Sequence, residues 1–128
     1  MRIILDTNVI VSAFLSYNGI PAKILTSFLD GCLTLVYDNL IFAEYVRVLF
    51  KDKFKIDKEK AGDILDSIQK KGEYGIANTL RTKFSDESDK KFYELLKSTN
   101  VDYLITGNKK HFPNEKNILT PREFLDLL

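Results

Sequence analysis

The sequence predicts an α/β domain with a mostly parallel sheet, on three observations. Short runs of aliphatic and β-branched residues, Ile3–Leu5, Leu33–Tyr37 and Val101–Thr106, read as buried strands. Longer stretches with apolar residues at helical spacing alternate with them. No linker, repeat or low-complexity tract interrupts the 128 residues, a length that suits a single domain, 1–128, with one core.

Ile3–Leu5 is the first strand, and a helix begins near Asp6 or Thr7. Asn18-Gly19-Ile20-Pro21 is a turn that opens a second helix, with Pro21 early in it. Ile24, Leu25, Phe28 and Leu29 form its apolar face, and Gly31 suits its stop. After the Leu33–Tyr37 strand comes a helix with Phe42, Tyr45, Val46, Leu49 and Phe50 on one face. Glu44, Arg47 and Lys51 fall on another. Lys51 to Lys60 reads as a solvated, lysine-rich connection, and Asp57 as the cap of a helix whose core face is Ala61, Ile64, Leu65 and Ile68. Lys70-Lys71-Gly72 ends that helix, with cations at its negative pole. Tyr74–Leu80 has room for a short strand. Ser85–Asp89 is a helix start, followed by Phe92, Leu95 and Leu96 on one face. Gly107-Asn108 is a turn after the Val101–Thr106 strand. Ile118-Leu119 is a last short strand, and Thr120-Pro121-Arg122-Glu123 a capping box with proline at the first helical position.

Composition narrows the function classes. Hydrophobic residues make up 45% and charged residues 29%, as in a soluble globular domain. No apolar run approaches the ~20 residues of a membrane span, and the N-terminus reaches Asp6 too soon for a secretory apolar region. The one cysteine, Cys32, has no internal partner for a disulfide. A cytoplasmic location is the expectation. A net charge of +1 neither predicts nor excludes nucleic-acid binding.

Three carboxylates carry the functional signal. Asp6 ends the first strand, Glu44 lies early in the helix after the second, and Asp89 opens the helix before the third. In an open α/β sheet such points converge on a crevice at the carboxyl ends of the strands. Acids gathered there repel one another unless a cation is present. A divalent-metal site is therefore the reading to test first.

Each acid also has a plainer account. Asp6 can cap the first helix, Glu44 can pair with Arg47, and Asp86 and Asp89 suit the positive end of a helix dipole. Capping is the preferred account of Asp86. Asn108 is an ordinary turn residue, and His111 and the Lys51–Lys60 lysines read as solvated. The phenylalanines Phe14, Phe28, Phe42, Phe50, Phe92 and Phe124 sit at helical core positions, and Tyr17 is a weak candidate for stacking on a base.

Taken jointly, the motifs resemble a PIN-domain protein. The resemblance is carried by Leu5-Asp6-Thr7-Asn8-Val9-Ile10-Val11-Ser12-Ala13, by Glu44 within Phe42–Leu49, by Asp86 through Phe92, by Asp102–Asn108, and by the closing Leu119–Leu125. The branch most similar is that of toxin components of toxin–antitoxin pairs. The resemblance implies a three-layer α/β/α fold with four or five mostly parallel strands. It also implies RNA cleavage that depends on Mg²⁺ or Mn²⁺, an antitoxin partner and a homodimer. Asp6, Glu44 and Asp89 match the family's acidic positions, as catalytic and metal-binding residues. Asp6 would be the central ligand, Asp89 the second, and Glu44 would act through a water. Thr7, Asn8, Ser12 and Thr106 would hold those carboxylates or a substrate phosphate. Many members carry a fourth acid where this chain has Asn108, an amide that can ligate but brings no charge. Asp86, one turn before Asp89, could restore that charge.

Hard cations prefer oxygen ligands, screen an anionic phosphodiester and lower the pKa of a bound water. Two other functions compete. One is a catalytically weak PIN domain that binds RNA or protein, motivated by Asn108. The other is a phosphatase, against which Asp6-Thr7-Asn8 lacks a second aspartate two residues on.

Overall fold

The structure of the chain is a computed structural model that describes all 128 residues. Its first strand, β1 (Arg2–Leu5), is the central one. Ile3, Ile4 and Leu5 are consecutive, and none is more than 1% exposed. Successive strand residues point to opposite faces, so helices must cover the sheet on both sides. A doubly covered strand needs an unbroken aliphatic run, which is what the sequence supplies.

After β1 come α1 (Thr7–Leu15), α2 (Ile20–Leu29), β2 (Thr34–Tyr37), α3 (Asn39–Leu49) and α4 (Lys58–Lys71). The second half holds β3 (Glu73–Tyr74), α5 (Lys90–Ser98), β4 (Tyr103–Ile105), β5 (Ile118–Leu119) and α6 (Pro121–Leu125). The five strands lie in the order β3-β2-β1-β4-β5, all parallel. Ile3 pairs with Leu35 on one side and Tyr103 on the other. From β1 the chain builds outward through β2 to β3, then crosses back to β4. The winding thus reverses between β1 and β4. An open parallel sheet leaves a crevice at that reversal, outside the carboxyl ends of its strands. Asp6 follows β1 there, and Thr106 follows β4.

The helix ends follow local chemistry. Gly31, just past α2, has a φ of +84°, where a side chain would be strained. Asp57 accepts the Lys60 N–H at the start of α4. Thr120 and Glu123 complete the expected capping box on α6.

Two expectations need correction and two need sharper bounds. In α3 the core stripe is Ile41, Tyr45 and Leu49, all buried, whereas Val46 and Phe50 are 37% and 38% exposed. The stripe advances by four residues, and Val46 and Phe50 lie one position, ~100° of helix, beyond it. The Lys51–Lys60 stretch is not a plain solvated connection: Asp52–Phe54 forms a 3₁₀ turn, and Phe54 and Ile56 pack on the core. In Tyr74–Leu80 only Tyr74 is in a strand, as the end of β3 beside Val36 and Tyr37. The helix signalled by Ser85–Asp89 opens with a 3₁₀ turn, Glu87–Asp89, and α5 proper starts at Lys90.

Candidate active site

Asp6 stands where β1 turns into α1. It occupies the N-cap position, yet its carboxylate makes no capping hydrogen bond. Capping alone does not explain it. Instead Oδ2 accepts a hydrogen bond from Thr106 Oγ1 at 2.7 Å, across the reversal between β1 and β4. Thr106 is fully buried, and its Oγ1 in turn accepts the Asn108 N–H at 3.0 Å. The hydroxyl's one proton goes to Asp6 and a lone pair takes the amide, so its orientation is fixed. Asp6 is only 5% exposed. Burial pushes its carboxyl up to about 6; the Thr106 hydrogen bond opposes this, and the charge of Asp89 adds to it. The Asn8 backbone amide also pulls it down, and Glu44 pushes it up.

Glu44 reaches the same place from α3. Asp38 caps that helix by accepting the Ile41 N–H at 2.9 Å. Tyr45, fully buried, donates its hydroxyl hydrogen bond to the Leu5 carbonyl, which fastens α3 to the end of β1. The neighbouring Glu44 is thereby held beside α1. Its Oε2 accepts from the Thr7 hydroxyl. Its Oε1 lies 2.6 Å from Lys91 Nζ and 3.6 Å from the Arg47 guanidinium. The expected Arg47 pairing is present, but Lys91 is the closer partner.

Asp89 sits at the junction of the 3₁₀ turn and α5. Its Oδ2 is 3.2 Å from His111 Nδ1. Burial pushes its carboxyl up, and so does the charge of Asp86, while His111 and Lys91 draw it down. His111 is thus not a purely solvated loop residue. The 3₁₀ turn Lys109–His111, which follows the Gly107-Asn108 turn, carries it back to Asp89. Asp86 does what capping predicts: its Oδ1 accepts from the Ser88 amide at 2.9 Å and the Ser88 hydroxyl at 2.7 Å. These bonds hold its carboxyl below the usual range. It is exposed and does not line the cleft, so it does not restore the charge missing at Asn108.

Asp6, Glu44 and Asp89 line one cleft, with Asn108 at its edge. Thr7, Asn8 and Ser12 come to it from the first turns of α1. Thr7 holds Glu44, and Asn8 Oδ1 accepts the Gly107 N–H at 3.3 Å, which steadies the turn that carries Asn108. Ser12 is exposed and makes no hydrogen bond to the acids. Tyr17, 84% exposed, is not part of the cleft wall. The acids share the cleft without forming a ready cage: no three Asp, Glu, His or Cys side chains stand close enough together to hold an ion. Their separation follows from their partners, because Thr7 and Lys91 draw Glu44 aside and His111 engages Asp89.

A family model described as the PIN domain matches residues 2–110. The chain belongs to the PIN-domain family. PIN domains are generally nucleases, and a nuclease function follows at that level. Their nucleases typically use divalent metals. The five-stranded parallel sheet with its six helices is consistent with the PIN fold. The match includes every cleft residue named above and stops short of the closing Leu119–Leu125. Comparison with curated proteins finds no match.

The cleft of this PIN domain offers only hard donors to a cation: carboxylates, hydroxyls and amides. Asp6 fits such an ion best. It is an acid whose ionised form is disfavoured by burial and by neighbouring acids, the situation a bound cation relieves. The sequence gives no sign of Lys91, because a lysine in the first turn of an amphipathic helix looks like a solvated one. The polar roles of Tyr45 and His111 are hidden similarly, by a core stripe and by a basic turn.

Proposed function

We propose that this PIN domain is a metal-dependent endoribonuclease, acting in the cytoplasm as the toxin of a toxin–antitoxin pair. The observation that carries the catalytic part is Asp6: a buried acid at the sheet's reversal point, facing Asp89 and Glu44, with its charge poorly compensated. Mg²⁺ or Mn²⁺ at this carboxylate would screen the phosphodiester and make a water acidic enough to attack it. Asp6 and Asp89 would be its ligands. Thr106 fixes one Asp6 oxygen, and the carboxylate lines the cleft. Glu44, held by Thr7 and Lys91, is placed to orient a water and accept its proton. Arg47, largely exposed at the rim, supplies positive charge for backbone phosphates. RNA as substrate, the antitoxin and a homodimer rest on the family resemblance.

Purified protein and single-stranded RNA test the reading. Cleavage should require Mg²⁺ or Mn²⁺, stop on chelation, and disappear in Asp6→Asn and Asp89→Asn. Cleavage by both variants at the parent rate would overturn it. One observation favours a second reading, a binding module of feeble activity: the acids form no ready cage, and Glu44 is already paired. Calorimetry that finds no Mn²⁺ site at millimolar metal would select that reading.

A further inference from the structure

Lys91 is out of character for its position. It lies in the first turn of α5, where the helix dipole disfavours a cation. A lysine there is expected to reach for water, yet this side chain is only 14% exposed. Its ammonium sits 2.6 Å from Glu44 Oε1 and donates to the Ser88 carbonyl, with the Phe92 ring centroid 5.1 Å away. Its charge is felt at Asp89. The ammonium is therefore fixed against Glu44, beside the cleft rather than in the wall that Asp6 and Asp89 share.

Two consequences follow for cation binding. The first concerns lone pairs. Glu44 Oε2 accepts from Thr7, and Oε1 faces both Lys91 and Arg47. A carboxylate so engaged has little left to offer an ion directly. The second concerns charge. Lys91, with the more exposed Arg47 behind it, answers the charge of Glu44. The two charges left, on Asp6 and Asp89, match a single divalent ion. A second ion near Glu44 would meet a fixed ammonium, and Asn108 adds no charge to offset it.

We propose that Lys91 is a built-in cation that pins Glu44 and stands in for a second metal ion, so that the cleft takes one divalent cation, on its Asp6 side. This rests on the metal-dependent reading above. Lys91 is accordingly a positioning residue, acting through Glu44.

The test is Mn²⁺ stoichiometry on the full chain, read by electron paramagnetic resonance of the free ion, with no substrate present. The parent should bind one equivalent. Lys91→Met keeps the aliphatic stem over Phe92 and removes the charge; it should bind two. The second equivalent should vanish in the Lys91→Met/Glu44→Gln double variant, and Lys91→Arg should stay at one. Two equivalents in the parent, or one in a folded Lys91→Met, would overturn the proposal and leave the metal site itself standing. No binding by the parent would instead sink the metal-dependent reading, and this inference with it. If Lys91→Met fails to fold, Lys91→Gln, which also removes the charge, is read in the same way.

Discussion

Replacing Asp6 by Asn should make the metal-free protein more stable at neutral pH. Burial and the neighbouring acids raise this carboxyl from 3.8 to about 6 in the folded chain. A tenfold change in proton affinity is worth ~1.4 kcal/mol, so the ionised side chain costs the fold about 3 kcal/mol. Asn has the same shape and can still accept from Thr106, but it carries no charge. Allowing for an imperfectly paired amide, the gain should be about 1–3 kcal/mol. The pH dependence has a definite sign. Above pH ~6 both folded and unfolded chains are ionised at this position, and the full penalty applies. Between pH ~6 and ~4 the folded protein takes up the proton first, and the penalty fades. Below pH ~4 both states are protonated and nothing remains. Urea unfolding of parent and variant, in chelator, at pH 7.5 and pH 4.5, measures the difference. Other titrating groups are common to both chains and cancel. A variant less stable than the parent at pH 7.5, or a gap of the same size at both pH values, would rule out a costly buried charge at Asp6.

Other outcomes follow from the same contacts. Thr106→Val removes the donor to Asp6 and the acceptor for Asn108; it should cost about 1–3 kcal/mol of stability and weaken Mn²⁺ binding ~10- to 100-fold, and unchanged affinity by calorimetry would show that Thr106 does not hold the ligand. Tyr45→Phe strips the hydroxyl that ties α3 to the Leu5 carbonyl; the urea midpoint should fall by the equivalent of about 1–2 kcal/mol with the slope unchanged, and a midpoint equal to the parent's would deny the tie. Mn²⁺ affinity should be level above pH ~7 and drop up to tenfold per pH unit below ~6, as the proton competes for Asp6; a flat titration from pH 7 to 5 would contradict a ligand role for that residue.

The sheet is legible in the sequence because β1, β2 and β4 are buried on both faces and need uninterrupted aliphatic runs. The caps at Asp57 and Thr120 are legible because each depends on a residue three positions away. Asp6 stands out for a topological reason: an acid at the end of the first strand of a parallel sheet opens on the crevice. What the sequence does not convey is pairing across the fold. Lys91 to Glu44, His111 to Asp89 and Tyr45 to Leu5 join residues 47, 22 and 40 positions apart. No local period encodes them. The α3 stripe also differs from its expected course: Val46 and Phe50 are apolar at near-helical spacing, but the buried stripe Ile41-Tyr45-Leu49 runs one position earlier and leaves them outside.

In the proposed function Asp6 and Asp89 jointly hold a divalent ion in the cleft. Anomalous diffraction from crystals soaked in Mn²⁺ tests it most directly. One strong peak should appear within ligand distance of both carboxylates and be absent from Asp6→Asn crystals. A peak elsewhere on the molecule, or none at saturating Mn²⁺, would contradict it.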